Sequence, residues 1–210
     1  MKEYHKIQTV YKRDMENKGR TLLERQYSTP EFEYLANAEW VFSEKVDGTN
    51  IRVMWDGERV SFGGKTDRAQ LPPKLLARMQ ERFPDDRLFK SHFDEPPVCL
   101  YCEGYGANIQ KGGGNYRPDQ DIVLFDVRVG DWWLKRNDVA SVADKLSLEV
   151  VPCVGLGNLD AMVNLARQGF TSQWGIFQAE GIVARPAVEL FARNGARIIT
   201  KIKCKDFPRS

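Results

Sequence analysis

The chain has 210 residues, 42% hydrophobic and 29% charged, with 17 Gly and 10 Pro. That is enough apolar chain for a globular core, and it excludes disordered and fibrous classes. Net charge is only +2, and the two histidines, His5 and His92, are too far apart for zinc-protease chemistry.

No apolar run approaches the roughly 18 residues of a membrane span. The start, Met1-Lys2-Glu3-Tyr4-His5-Lys6, lacks the apolar stretch of a signal peptide. A cytoplasmic protein with no membrane partner is therefore expected.

Residues 1–30 are polar and basic and end at Ser28-Thr29-Pro30. Trp40-Val41-Phe42 opens the first strand, which leads into Ser43-Glu44-Lys45-Val46-Asp47-Gly48-Thr49-Asn50; alternation resumes over residues 51–55. Asp56-Gly57 predicts a two-residue hairpin returning through residues 59–62, and Gly63-Gly64 breaks the pattern. Residues 73–83 place Leu75, Leu76, Met79 and Phe83 on one helical face, with Pro73 suited to the first turn.

After Pro96-Pro97 a strand is expected over 98–103, then a glycine-rich loop over 104–120. The apolar run 122–127 reads as a strand that pairs with residues 132–134 across Gly130-Asp131. Helices are expected over 137–146 and 159–168, and strands over 180–185 and 197–203. Cys99 and Cys102 are three apart on a strand and so point to opposite faces. With Cys153 and Cys204 they read as free thiols of a reducing compartment. Hairpins with interspersed helices indicate an α+β fold built on antiparallel sheets with flanking helices. Residues 1–210 are taken as one domain and a monomer, with no C-terminal accessory domain.

The charge is uneven. Between residues 193 and 210 stand Arg193, Arg197, Lys201, Lys203, Lys205 and Arg209 against Asp206 alone. Apolar residues set between these cations point to a site for phosphate rather than a solvated tail.

Polar groups recur at strand positions: Lys45-Val46-Asp47-Gly48, Glu103-Gly104, Phe125-Asp126, Glu180-Gly181 and Lys201-Ile202-Lys203. Their order over residues 40–205 resembles the covalent nucleotidyltransferase superfamily of ATP-dependent polynucleotide ligases and GTP-dependent capping enzymes. Asn50 stands where DNA ligases and capping enzymes usually carry arginine. With Glu103-Gly104-Tyr105-Gly106, Phe125-Asp126-Val127-Arg128 and Lys203-Cys204-Lys205-Asp206-Phe207, it makes the chain similar to the nick-sealing RNA ligase branch. The fold implied is that superfamily's adenylyltransferase domain, which is ATP-grasp-like.

The resemblance implies that Lys45 attacks the α-phosphate of ATP to form lysyl-AMP, with Mg²⁺ or Mn²⁺, and that RNA with 5′-phosphate and 3′-hydroxyl ends is joined. A lysine amine is nucleophilic only when neutral, and Lys201 and Lys203 supply cations that favour that form. By resemblance Glu103 holds the ribose, Phe125 stacks on adenine and Glu180 helps to hold the metal, directly or through water. Glu44, Asp47, Gly48, Asn50, Lys65 and Val183 complete the nucleotide set. The family commonly shows Gly-Arg-Thr where this chain has Gly64-Lys65-Thr66, so Arg68 is a second candidate for the missing guanidinium. Lys111, Tyr116, Arg117, Lys205 and Arg209 are candidate RNA contacts. The competing readings are a DNA ligase or capping enzyme, and a silent RNA-binding module that keeps the nucleotide pocket.

Overall fold

The computed structural model describes residues 2–207; Arg209 lies outside the described residues. The architecture is α+β and dominated by antiparallel pairing, as the succession of hairpins indicated. The chain forms two compact units. One comprises Asp47–Val151 with the N-terminal segment through Tyr4; the other comprises His5–Val46 with the chain from Pro152 onward. No helix among the described residues is long and apolar enough to cross a membrane.

The first unit is a six-stranded sheet. Its central strands, Thr49–Trp55, Val98–Gly106 and Gln120–Val129, pair antiparallel, with Val60–Gly63 at one edge, Glu149–Val150 at the other and Trp132–Trp133 paired to the end of Gln120–Val129. One sheet face supplies Ile51, Val53, Leu100, Cys102, Ile122, Leu124 and Val127 to the core. Leu75 and Met79 of helix Pro73–Arg82 and Val139 and Ala143 of helix Arg136–Lys145 pack in the same cluster. Each such fully buried large apolar side chain contributes ~1.5–3 kcal/mol. The alternation leaves Asn50, Arg52, Tyr101 and Glu103 on the opposite face.

The second unit is a five-stranded sheet in the order Gln8–Thr9, Thr200–Lys203, Gly181–Pro186, Trp40–Lys45 and Cys153–Gly157. Helix Leu159–Gln168 covers one face; its Leu159, Met162, Val163 and Ala166 join Trp40, Phe42, Ile182, Ala184 and Ile202 in the core. Asn158 caps this helix, its side chain accepting from the Ala161 backbone N–H at 2.9 Å.

Several local expectations change. The hairpin after Trp55 closes with Trp55 opposite Val60, a four-residue loop in which Asp56 Oδ1 accepts from the Glu58 and Arg59 N–H groups. That carboxylate satisfies the turn donors a two-residue turn would have placed in the ladder. The strand at 98 continues to Gly106, shortening the glycine-rich loop, and the last strand begins at Thr200 rather than 197. Residues 1–30 contain short strands that residue patterning did not reveal: Gln8–Thr9, Tyr11–Arg13 and Leu22–Tyr27.

Candidate active site

In the second unit the sheet register itself assembles the lysines. Gly181 lies opposite Lys45 on one side and opposite Lys203 on the other. One rank on, Val183 lies between Ser43 and Lys201. Because side chains alternate along strands, Ser43, Lys45, Val183, Lys201 and Lys203 share the face that does not carry Phe42, Ile182 and Ile202.

Only glycine fits at position 181, since a Cβ there would sit 2.1 Å from the Ile202 carbonyl oxygen. Glu180 precedes it and bridges the two strands: Oε2 is 2.5 Å from Lys45 Nζ and Oε1 is 2.6 Å from Lys203 Nζ. All three groups are largely shielded, with side-chain exposures of 20%, 10% and 25% for Lys45, Glu180 and Lys203. The result is a carboxylate shared by two ammonium groups, with Lys201 one rank away. This arrangement has a net positive charge suited to phosphate.

Glu44 departs from expectation. Next to Lys45 in the strand, it takes the opposite face, in register with Ile182. There it is buried, and its Oε2 accepts from the Gln173 backbone N–H at 2.8 Å. Burial raises its carboxyl above the ordinary value, and the hydrogen bonds from Gln173 and Ser172 only partly offset that. Its side chain anchors the segment around residues 172–174 rather than reaching a nucleotide beside Lys45.

In the first unit the turn Asp47-Gly48 is pressed onto a neighbouring strand: a Cβ on Gly48 would lie 2.2 Å from the Gly104 carbonyl oxygen and 2.8 Å from Glu103 Cγ. Asn50 pairs in register with Glu103, so both functional candidates stand side by side on the face away from the helices. The loop after Gly106 is tied to this turn. Gln110 Nε2 donates to the Gly48 carbonyl at 3.0 Å, and the Asp47 N–H donates to Tyr116 Oη at 3.1 Å. Tyr116 is therefore buried structure, not a base-stacking platform.

Arg117 is also corrected. Its guanidinium binds Asp119 at 2.6 Å and Asp121 at 3.1 Å and lies over the Tyr105 ring, so the loop's own carboxylates occupy the group proposed for RNA. Lys111 and, in the second unit, Lys205 are exposed.

Phe125 and Asp126 sit within strand Gln120–Val129. Tyr101 pairs with Asp126 and Cys102 with Leu124, so the register shifts and Phe125 is the extra residue of a bulge. The core alternation slips by one there, from Ile122 and Leu124 to Val127. Such a bulge re-aims a side chain, and Phe125 is half-buried while Asp126 is buried.

Arg52 is a residue that sequence reasoning missed. It is completely buried, donating through Nε to the Gly64 carbonyl at 2.9 Å and through Nη2 to Asp67 Oδ1 at 2.7 Å. It thereby tethers the loop that carries Lys65 and Arg68, both exposed. The only available signal was its position out of phase with Ile51 and Val53. The four cysteines are free, and burial pushes the Cys99 thiol up to about 11, unsuited to nucleophilic work.

A family model described as RNA ligase matches residues 38–203. No curated protein matches the sequence. Among solved structures, a variant of Naegleria gruberi RNA ligase with ATP and Mn is similar at a TM-score of 0.68 and 14% identity, covering 97% of this chain and 56% of that one. A variant of the same ligase with AMP and Mn gives 0.66 and 14%, covering 96% and 57%. The ligase with PPi gives 0.65 and 15%, again covering 96% and 57%. The chain spans a little over half the length of these structures, and at such identity the likeness establishes the fold.

Proposed function

For a chain that belongs to the RNA ligase family, we propose ATP-dependent joining of RNA 5′-phosphate and 3′-hydroxyl ends through AMP carried on Lys45. The observation that carries this reading is the rank Lys45–Gly181–Lys203 with Glu180 bridging the two ammonium groups. It places a lysine beside cations that can receive phosphate charge.

In the first step the neutral Lys45 amine attacks the α-phosphorus. A P–N bond forms, the bond to the β-phosphate oxygen breaks, and pyrophosphate leaves. Lys45 must therefore leave its pairing with Glu180 and lose a proton, while Lys203 and Lys201 receive phosphate oxygens. An oxygen of the RNA 5′-phosphate then displaces Lys45, and finally the 3′-hydroxyl attacks that phosphate and releases AMP.

Glu103 is assigned to the ribose and Phe125 to the adenine face, with Asp47, Gly48 and Asn50 shaping the turn, Lys65 reaching phosphate, and Val183 lining the lysine face. Lys111 and Lys205 are assigned to the RNA backbone. No group of three or more His, Cys, Asp or Glu side chains able to hold a metal occurs among the described residues. Glu180 together with nucleotide phosphates nevertheless fits the way Mg²⁺ is commonly bound. The ion, when bound, neutralises charge on the transferring phosphate. A cytoplasmic setting agrees with the free cysteines, and the enzyme is taken to act as a monomer.

The test is a gel assay of RNA strands with and without a 5′-phosphate, supplied with ATP or GTP. Joined product from 5′-phosphorylated RNA with ATP alone supports the reading. Protein labelling from GTP alone would make it a capping-type enzyme. Tight RNA binding without label or product would make it a binding module.

A further inference from the structure

Residues 2–4 are fastened to the first unit at three points. The Tyr101 hydroxyl donates to the Lys2 carbonyl at 2.8 Å, the Asp67 N–H donates to Glu3 Oε1 at 3.2 Å, and the Tyr4 hydroxyl donates to Asp126 Oδ2 at 2.7 Å. Tyr101 and Asp126 are register partners on neighbouring strands, and Tyr101 lies on the face away from the helix-packed core. Tyr4 is buried there. Its ring centroid is 5.0 Å from Tyr101, 5.1 Å from Phe125 and 5.6 Å from Trp133, the last two at nearly perpendicular angles.

The contact with Phe125 carries a consequence for nucleotide selection. A bulge re-aims the side chain of its extra residue, here Phe125. The Tyr4 ring meets Phe125 edge to face. The Tyr4 hydroxyl is in turn anchored on Asp126, the residue next to Phe125. One side chain 121 residues earlier in sequence thus touches both the ring and the residue beside it in the bulge.

We infer that Tyr4 is a positioning residue for recognition of the nucleotide base: it acts through Phe125, holding that ring in the orientation that stacks on adenine. The inference rests on the assignment of Phe125 to adenine made above. The Tyr4 hydroxyl is committed to Asp126 and its ring to Phe125, so by this inference its effect is confined to ligands that carry a base.

The experiment uses the full chain with Tyr4→Leu, Tyr4→Phe and Phe125→Leu. The readouts are KM for ATP and kcat in self-adenylylation, inhibition by inorganic tripolyphosphate, and thermal melting. Tyr4→Leu is expected to raise KM for ATP about 3- to 10-fold, the range of one lost aromatic pair. The tripolyphosphate inhibition constant, which reports phosphate contacts alone, stays unchanged. Tyr4→Phe keeps the ring but frees it from Asp126, and it shifts KM in the same direction by a smaller factor.

A merely structural Tyr4 would lower melting temperature and active fraction while leaving KM alone, and that result overturns the inference. An equal rise for ATP and tripolyphosphate also overturns it. If Tyr4→Leu fails to fold, Tyr4→Phe decides: an unchanged KM there rejects the inference. Phe125→Leu separates the two levels. An unchanged KM in that variant removes Phe125 from adenine recognition, and the role of Tyr4 falls with it. A raised KM for Phe125→Leu beside a normal one for both Tyr4 variants rejects only the Tyr4 inference.

Discussion

Lys45 and Lys203, far apart in sequence, lie opposite the same residue, Gly181, from the two strands that flank it. With inter-strand spacing near ~4.8 Å, their backbones stand roughly 10 Å apart. The Glu180 carboxylate spans that gap by taking one ammonium on each oxygen. The glycine is what lets the rank close.

Gly181→Ala therefore has a definite outcome. The added methyl would lie 2.1 Å from the Ile202 carbonyl oxygen and 2.7 Å from Lys203 Cα, both backbone atoms. Relief requires the strands to move, at a cost of ~1–3 kcal/mol. Thermal melting should fall by about 2–4 °C per kcal/mol, and self-adenylylation should drop more than stability does, because Lys203 moves. Wild-type melting and labelling would show that the three strands do not keep this register.

Arg52 and its partner Asp67 should behave unequally. Arg52 is fully buried and satisfies the Gly64 carbonyl, whereas the Asp67 side chain is 76% exposed. Arg52→Met leaves a buried acceptor without its donor, which costs ~1–3 kcal/mol. Asp67→Ala removes one exposed partner and leaves the Arg52–Gly64 bond in place, so it should cost less than Arg52→Met. Chemical denaturation of the two variants checks this, and equal losses would mean that the ion pair, not the loop tether, matters.

Glu44 gives a pH signature. Its carboxyl is raised above the ordinary 4.5 by burial. A raised folded-state value means that the stability contribution is complete below about pH 4.5. It is lost as pH rises through the higher folded value. Glu44→Gln keeps an acceptor for Gln173 and does not titrate. The variant's melting temperature relative to wild type should therefore climb between pH 4 and pH 7. A difference that shrinks over that range would contradict burial as the dominant effect.

Much of this was legible in the residue pattern. Helix Pro73–Arg82 and the strands at Trp40, Val98 and Gly181 follow from apolar periodicity, and the order of Lys45, Glu103, Phe125, Glu180 and Lys203 carried the family resemblance. What stayed hidden is physical in origin. The bulge at Phe125 lies in a run buried on both faces, where no alternation exists to show a slip. Arg52 has the phase of an outward residue, yet its face is covered. Glu44 beside Lys45 looks like a site residue until the strand's alternation turns it inward. Tyr4 belongs to a segment with no period of its own, held by partners more than 60 residues away.

The central claim is a covalent bond between Lys45 and AMP. Its most direct test is incubation of the full chain with α-labelled ATP and Mg²⁺, followed by a neutral denaturing quench and peptide mass mapping above neutral pH, in parallel with Lys45→Ala. Lys45 is half-buried at a strand end and outside the apolar core, so the variant should melt like wild type. The account predicts AMP on the peptide containing Lys45, stable to alkali and labile to acid as a P–N bond requires, released by pyrophosphate and absent from Lys45→Ala. AMP labelling of a folded Lys45→Ala protein, or a label mapped to any other lysine, would contradict it.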